Sequence, residues 1–497
     1  MTITIVLYVS GLFLSWIIAR LVPSSKSRQA LLLILSCALY ASWGLWFLAV
    51  LLGSTLMNYR LGNYLRARPT AGRLWIGVGL NVFLLGFFKY LPPLAGMLWA
   101  DSGFASLSSH IIQPIGLSFW TFQALSYLFD LYREEDLHPS LWEFCLYMAF
   151  WPTVLSGPIC RMGEMLPQFR QDPSQSKLDV RRGLERISVG VMMVGLARLL
   201  GAGLKAGEGI NAMFDQTSRH WSGGDVGVLT IGYGFLLFFD FAGYSHLAIG
   251  AARFFGFRVP ENFDRPYLSG SPSVFWTRWH MSLSFWIRDY LFLPLAAARR
   301  EMAWRNFALV ASMVIFGLWH KGNLLFLLWG TYHGILLVLH RFWQNLQRRW
   351  AISWSSPIAI PVSWGVTFGA INLGWVFFRA NDSKQAFSML GAALWPGNYR
   401  GWALPRDLYT LILASVLGYF LVVLAGWLLN PARLDAQLAE ISRPPRRVWH
   451  TASAALGFLA RDKWIWVGPL LATVVAYVFS VILLQETAAS RFLYMLF

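Results

Sequence analysis

The chain has 497 residues, of which 56% are hydrophobic and only 13% are charged. A soluble domain usually carries about a quarter charged residues, and one soluble core could not bury this much apolar surface, so the composition excludes an ordinary soluble protein. The formal net charge of +17 does not indicate nucleic-acid binding, because Lys and Arg cluster in the short segments between apolar runs. That placement is typical of cytoplasmic loops in a membrane protein, with some contact to anionic lipids or acidic partners left open.

The apolar runs predict helices that cross about 30 Å of hydrocarbon. Runs long enough to cross include Met1–Ala19, Trp75–Trp99, Val226–Gly250, Leu408–Leu429 and Ile465–Leu484. None shows the ten-residue alternation of a membrane β-barrel, and the first run lacks the basic start and cleavage site of a signal peptide. The sequence therefore predicts an all-α polytopic membrane protein with about 11 transmembrane or re-entrant helices, in a single domain over residues 1–497.

Several predicted helices contain breaks. Leu31–Met57 is interrupted at residues 41–44, which predicts a hairpin of two helices, and Pro92-Pro93 interrupts the next run. Phe144–Ile159 contains two prolines, so we expect it to be broken or re-entrant. The segment 251–305 is rich in Arg, Pro and Trp. It is too polar to cross lipid and too aromatic for a free linker, which favours an interfacial or re-entrant segment.

His320 lies between two predicted helices in the second half of the chain. The first, from Asn306, is only about 14 residues, or roughly 21 Å, and the second runs from Leu324 to Leu339. Arginines at both outer ends predict a hairpin whose tip carries His320 at or beyond membrane depth. An ionisable residue there indicates a functional site, although a histidine bonded to a neighbouring helix is the structural alternative.

A second histidine, His280, lies in an aromatic segment with Ser282 and Ser284, which resembles a polar pocket or, alternatively, an interfacial aromatic belt. His333 follows on the returning helix and is interpreted as a packing residue. No pair of histidines has the i, i+4 spacing of a helical zinc site, so no metal site is predicted. The three cysteines show no disulfide or metal spacing.

An ordered set of motifs resembles the membrane-bound O-acyltransferase family, in the branch of the bacterial alginate O-acetylation membrane subunits. The motifs are Pro114-Ile115-Gly116-Leu117-Ser118-Phe119-Trp120-Thr121-Phe122-Gln123, Gly157-Pro158-Ile159, Asp240-Phe241-Ala242-Gly243-Tyr244-Ser245, Pro260-Glu261-Asn262-Phe263, Arg278-Trp279-His280-Met281-Ser282-Leu283-Ser284, Arg288-Asp289-Tyr290-Leu291, Gly317-Leu318-Trp319-His320 and Trp375-Val376-Phe377-Phe378-Arg379-Ala380. Each motif is weak alone, but the ordered set is specific.

The resemblance implies a multi-helix bundle around a central funnel or tunnel, with a motif-bearing core over about residues 111–390. It also implies that His320 is the signature histidine and His280 the second polar position, both catalytic. The chain departs from the usual pattern at Lys321, where relatives carry Gly after the signature histidine.

The resemblance further implies an O-acyltransferase of the bacterial inner membrane that moves an acetyl group from acetyl-coenzyme A, or another acyl thioester, to an extracytoplasmic polysaccharide. Alginate-like exopolysaccharide is the expected acceptor class, and a separate extracytoplasmic acetyltransferase is an expected partner. No resident cofactor is expected. Related D-alanyl, peptidoglycan or cellulose acylation is the alternative within the family. A proton-coupled transporter or flippase is the alternative of another class, although the chain lacks the internal repeats that such proteins often show.

Overall fold

The computed structural model describes residues 11–429 apart from residues 12, 15, 19–20, 23, 100–101, 172–179, 217–219, 351–357 and 400. The predicted helix Ile465–Leu484 and the first ten residues of the predicted helix Met1–Ala19 lie outside this range. The described residues form helices and no β-strand, with a single isolated bridge between Phe263 and Trp279. The all-α prediction is confirmed.

The α-helices are numbered in chain order. They are α1 Ser25–Ala41, α2 Leu45–Ala67, α3 Ala71–Lys89, α4 Leu91–Leu98, α5 Gly103–Ser109, α6 Leu117–Tyr132, α7 Leu141–Ala149, α8 Met162–Arg170, α9 Val180–Ala202, α10 Ile210–Asp215, α11 Gly223–Phe254, α12 Pro272–Trp276, α13 Met281–Ile287, α14 Leu293–Ala297, α15 Met302–His320, α16 Leu324–Arg349, α17 Ala359–Arg379, α18 Ser383–Leu394 and α19 Arg406–Leu429.

Six of the described helices, α3, α11, α15, α16, α17 and α19, are long and apolar enough to cross a membrane. They confirm a multi-pass membrane protein. Other predicted segments fold as shorter helices, such as α6 with 16 residues and α7 with nine. For this reason the described part of the chain contains fewer membrane-length helices than the roughly 11 apolar segments expected from hydropathy.

The predicted breaks are confirmed. Helix α1 ends at Ala41 and α2 begins at Leu45, where Gly44 has a φ of 152° that favours glycine. Tyr90 separates α3 from α4, with Pro92 and Pro93 in the first turn of α4, where their missing N–H groups cost little. Between α11 and α15, which overlap the two ends of the segment 251–305, the helices have seven residues or fewer. No described helix of membrane length lies between these two helices.

The chain packs as two compact units. The first comprises the described residues of Met1–Gly190, Tyr244–Asn262 and Arg288–Tyr290, and the second comprises those of Val191–Gly243, Phe263–Ile287 and Leu291–Phe497. Both histidines of interest belong to the second unit. The first unit has a core in which buried aromatic rings such as Phe150, Phe169 and Phe257 pack edge to face.

The first unit also contains an ionic cluster, formed by Asp130, Arg161, Arg288, Asp289 and Tyr290. Arg161 Nη2 donates to Asp289 Oδ2 at 2.7 Å, and Arg288 Nε donates to Asp289 Oδ1 at 2.6 Å. The Tyr290 hydroxyl donates to Asp130 Oδ1 at 2.7 Å. Each of the two carboxylates therefore has a hydrogen-bond donor of its own.

Candidate functional site

The helices α15 and α16 form the hairpin predicted around His320. Asn323 begins α16 by accepting a hydrogen bond from the Phe326 N–H at 3.1 Å, which satisfies one free donor of that helix end. The helices approach closely because Gly317 and Gly330 have no side chain: a Cβ at Gly317 would lie 2.2 Å from the Phe326 carbonyl oxygen. A Cβ at Gly330 would lie 2.3 Å from the Met313 carbonyl oxygen. The two glycines thus fix the spacing of the hairpin that ends in His320.

His320 is the last residue of α15, and its side chain is 5% exposed. Its ring is surrounded by aromatic rings, with centroid distances of 4.6 Å to Trp319, 5.2 Å to Phe378 and 5.5 Å to Trp329. The Trp329 ring meets it almost perpendicularly, at 87°. The imidazole is therefore held by ring packing in a nonpolar environment, where electrostatic interactions are stronger than in water.

His280 lies in the turn between α12 and α13. Its φ of 43° places a non-glycine residue in the left-handed region, which is sparsely populated and concentrated at functional sites. The turn is held by its carbonyl oxygen, which accepts from the Ser284 N–H at 2.8 Å. The side chain is 1% exposed, and its ring meets the Phe241 ring edge to face with centroids 4.5 Å apart.

His280 and His320 line one buried cavity. Its walls are formed by Leu237, Phe241, Trp279, His280, His320, Trp329, Trp375 and Phe378. The free volume of about 10 Å³ leaves room for about one water molecule. The structure thus brings together two histidines that are 40 residues apart in the sequence, in a cavity that has little room for water.

Burial lowers the pKa of His280, which lies outside the six membrane-length helices, to about 3. Its ring is therefore neutral at physiological pH. A neutral imidazole carries one N–H donor and one acceptor nitrogen, so it can donate a hydrogen bond without a charge having to be buried.

The remaining polar residues singled out from the sequence do not line the cavity. Ser284 donates its hydroxyl proton to the Trp279 carbonyl oxygen at 2.9 Å, and Lys321 is exposed. His333 is fully buried beside Trp276 and Trp329, and it does not line the cavity. Among the described residues, no group of three or more His, Cys, Asp or Glu is placed to hold a metal ion.

Sequence reasoning did not single out the other walls of the cavity. Phe241, Trp375 and Phe378 line the cavity and belong to two of the motifs that carry the family resemblance. Their place in those motifs is the feature of the sequence that could have identified them as site residues. Trp329 lies outside the motifs and has only its position two turns after the hairpin tip to mark it.

Sequence comparison with known proteins identifies the family to which this chain belongs. A sequence model of the MBOAT, membrane-bound O-acyltransferase family matches residues 117–379, more than half of the chain. The chain belongs to this family. The matched range contains every residue that lines the cavity.

Three relatives have informative names. The chain is 31% identical to the "Probable alginate O-acetylase AlgI" of Pseudomonas putida over 485 residues, which cover 95% of each protein. It is 32% identical to the "Peptidoglycan O-acetyltransferase" of Helicobacter pylori over 76% of each protein. It is also 32% identical to the "Teichoic acid D-alanyltransferase" of Streptococcus thermophilus over 58% of this chain and 69% of the relative. These comparisons confirm the predicted O-acyltransferase and favour it over a transporter.

Proposed function

We propose that the protein transfers an acetyl group from a cytoplasmic thioester donor to hydroxyl groups of an extracytoplasmic polysaccharide in the bacterial inner membrane. The observation that carries the proposal is that His280 and His320 line the same aromatic cavity in a chain of the acyltransferase family. The names of the alginate and peptidoglycan relatives support a polysaccharide acceptor and an acetyl group.

In this proposal His320 is the general base. Its ring nitrogen takes the proton of the acceptor hydroxyl as the hydroxyl oxygen attacks the thioester carbonyl carbon. The C–S bond then breaks, and the proton passes from His320 to the departing thiolate sulfur, so ester and free thiol are the products. A histidine suits both steps because it accepts and releases a proton near neutral pH, and such catalysis typically contributes about 10²–10⁴-fold.

His280 is proposed to bind the thioester carbonyl. Negative charge develops on that oxygen in the transition state, and a fixed N–H donor in a nonpolar site stabilises it strongly. The low pKa of His280 supports this role rather than that of a base, because the ring stays neutral and keeps one N–H to donate. The left-handed turn fixes the backbone that positions this donor.

The donor is acetyl-coenzyme A or another acyl thioester, bound as a substrate and not as a resident cofactor. The acceptor is either the polysaccharide hydroxyl itself or a serine of a separate extracytoplasmic acetyltransferase that completes the transfer. The D-alanyltransferase relative supports a second donor class, a D-alanyl thioester on a carrier protein. The D-alanyl group is larger than acetyl by one carbon and carries an ammonium group, which an aromatic cavity would bind by a cation–π interaction.

The test uses the full chain in proteoliposomes with labelled acetyl-coenzyme A and an alginate-type polysaccharide, with and without membrane extract as a source of partner proteins. We expect label on the acceptor with the native chain. His320→Ala should lower the rate by about 10²–10⁴-fold, which is the contribution of general base catalysis.

The matched control is His340→Gln, a change of the same residue type on α16 at a half-buried position away from the cavity. It should leave the rate within about twofold, because surface substitutions away from a site have small effects. Equal labelling by the native chain and His320→Ala would contradict the role of His320. Labelling only from a D-alanyl carrier thioester would replace acetyl by D-alanyl in the proposal.

A further inference from the structure

A groove lies between helices α2 and α3 of the first unit, far in sequence from the histidine cavity. Its volume is about 460 Å³, which is within the range of small-ligand sites. The lining residues are Gly53, Leu56, Met57, Arg60, Leu61, Tyr64 and Leu80. The first six recur at the 3–4-residue spacing of one helix face, so α2 supplies almost the whole wall.

The groove is apolar along most of its length and open to the surroundings. Leu56 and Leu80 are about 40% exposed, and a Cβ at Gly53 would meet nothing within 4 Å. Beside it on α3, Trp75 and Phe83 are 64% and 70% exposed. In a membrane protein such exposed apolar surface contacts lipid chains, and Gly53 leaves open space in the wall because it has no side chain.

One end of the groove is cationic. Arg60 and Tyr64 lie on the same face of α2 in its last two turns, and the guanidinium of Arg73 stacks on the Tyr64 ring at 3.9 Å from the centroid. The first 100 residues contain eight Lys and Arg residues and no Asp or Glu. Among the described residues, no acidic side chain forms an ion pair with Arg60.

Arg60 lies seven residues, or about 10 Å, before the end of α2. Its long apolar stem can follow the groove while the guanidinium extends toward the end of the helix, as basic side chains do near a membrane surface. A cationic end on an apolar groove matches the chemistry of a phosphate that carries an acyl chain. A soluble phosphate would use the cation and not the apolar wall, whereas a phospholipid would use both.

We propose that this groove binds one anionic phospholipid, with an acyl chain against Gly53, Leu56 and Leu80 and the headgroup phosphate on Arg60. The guanidinium fork forms charge-assisted hydrogen bonds to phosphate oxygens. The bound lipid fills the gap between α2 and α3 and stabilises the hairpin that they form.

The experiment measures lipid binding to the full chain by native mass spectrometry, with phosphatidylglycerol and phosphatidylethanolamine of identical acyl chains. We expect phosphatidylglycerol to bind about fivefold more tightly, the effect of one basic side chain at an anionic membrane surface. Arg60→Gln should abolish this preference and leave chain binding in place. Gly53→Leu, whose side chain fills the groove, should reduce binding of both lipids.

Two variants serve as matched controls. Arg68→Gln removes a charge from the same helix end without touching the groove, and Gly86→Leu adds the same side chain on α3 where no atom lies within 4 Å. Both should bind the lipids as the native chain does. Circular dichroism confirms folding, and if Gly53→Leu does not fold, Arg60→Gln decides the matter alone.

Four results would overturn the proposal. The first is equal affinity of the native chain for the two lipids, and the second is an unchanged preference in Arg60→Gln. The third is displacement of phosphatidylglycerol by inorganic phosphate. The fourth is that the native chain is a dimer, and that Gly53→Leu disrupts the dimer interface and releases the lipid with it. The last two would assign the groove to a soluble anion or to a second copy of the chain.

Discussion

Two regions of the molecule bring polar side chains together, and the surroundings of these side chains differ. In the ionic cluster of the first unit, Asp289 accepts from two arginines and Asp130 accepts from the Tyr290 hydroxyl. In the cavity of the second unit, His280 and His320 lie among aromatic rings and aliphatic side chains. The cluster has the composition of a structural network, in which each charge is paired. The cavity instead brings two ionisable rings together in nonpolar surroundings, an arrangement that is common at functional sites.

Among the variants that compare the two regions, a substitution of His280 should change the rate of acyl transfer most. His280→Ala should lower the rate of acyl transfer by about 10²–10³-fold, the cost of losing one oxyanion donor. His280→Asn should recover part of this loss, because Asn tolerates a positive φ and supplies an N–H donor. Steady-state kinetics in proteoliposomes measure both variants.

Thermal unfolding of the same His280 variants provides the control. If His280→Ala lost activity only in proportion to unfolded protein, the residue would be structural, like the members of the ionic cluster. A loss of kcat at unchanged melting temperature would sharpen the contrast between the regions.

The position of His320 was predictable because the information is local. Two apolar runs with arginines at both outer ends indicate a hairpin, and the structure places His320 at its tip. The predicted length of the first helix was wrong, because α15 has 19 residues and already begins at Met302, before the expected start at Asn306. The cavity itself was not predictable in the same way. Phe241 and Trp375 come from helices far apart in the sequence, and no spacing rule connects them. The left-handed backbone of His280 was also unforeseen, since few non-glycine residues adopt it.

In the fold, too, some features follow from local sequence and others do not. The breaks at residues 41–44 and 90–93 follow from glycine and proline, whose backbone preferences are intrinsic. The number of membrane-length helices does not follow from hydropathy, because α6 and α7 are apolar segments that are buried within the protein and are too short to span the bilayer alone. Hydropathy measures burial in protein and in lipid alike.

A smaller effect is expected from the hairpin that carries His320. Gly317→Val should lower activity by about 10–100-fold and cost about 1–3 kcal/mol of stability, because its side chain would press on the Phe326 carbonyl and displace the end of α15 that carries His320. Activity and melting temperature are measured together. Gly369→Ala, on α17 where no atom lies within 4 Å, is the control and should change neither. Native-like activity in Gly317→Val would show that the close approach is not needed.

The smallest effect on catalysis should come from the ionic cluster. Asp289→Asn should lower the melting temperature by a few degrees and leave the rate within about threefold, because the cluster supports packing and touches no reacting atom. A loss of activity as large as that of His280→Ala would show that the cluster takes part in catalysis. It would then break the distinction between the two regions.

The effect of Asp289→Asn should depend on pH. Partial burial alone would raise the pKa of Asp289, but hydrogen bonds from Arg288 and Arg161 outweigh it and lower the pKa below its ordinary value. A lowered native pKa contributes stability above the unfolded-state pKa of about 3.9, and the contribution is lost as the pH falls through the native pKa. The difference in melting temperature between the native chain and the variant should therefore be full at pH 7 and vanish in strong acid. A difference that persists there would rule out the ion pairs as its cause.

The small size of the cavity has a consequence for the membrane itself. A buried imidazole can accept a proton at one nitrogen and release one from the other, so two of them inside a bilayer protein are a potential proton leak. Proton conduction also requires a continuous file of water molecules, and a cavity with room for about one water cannot hold such a file. We therefore expect that the cavity of the resting protein does not conduct protons past its two histidines.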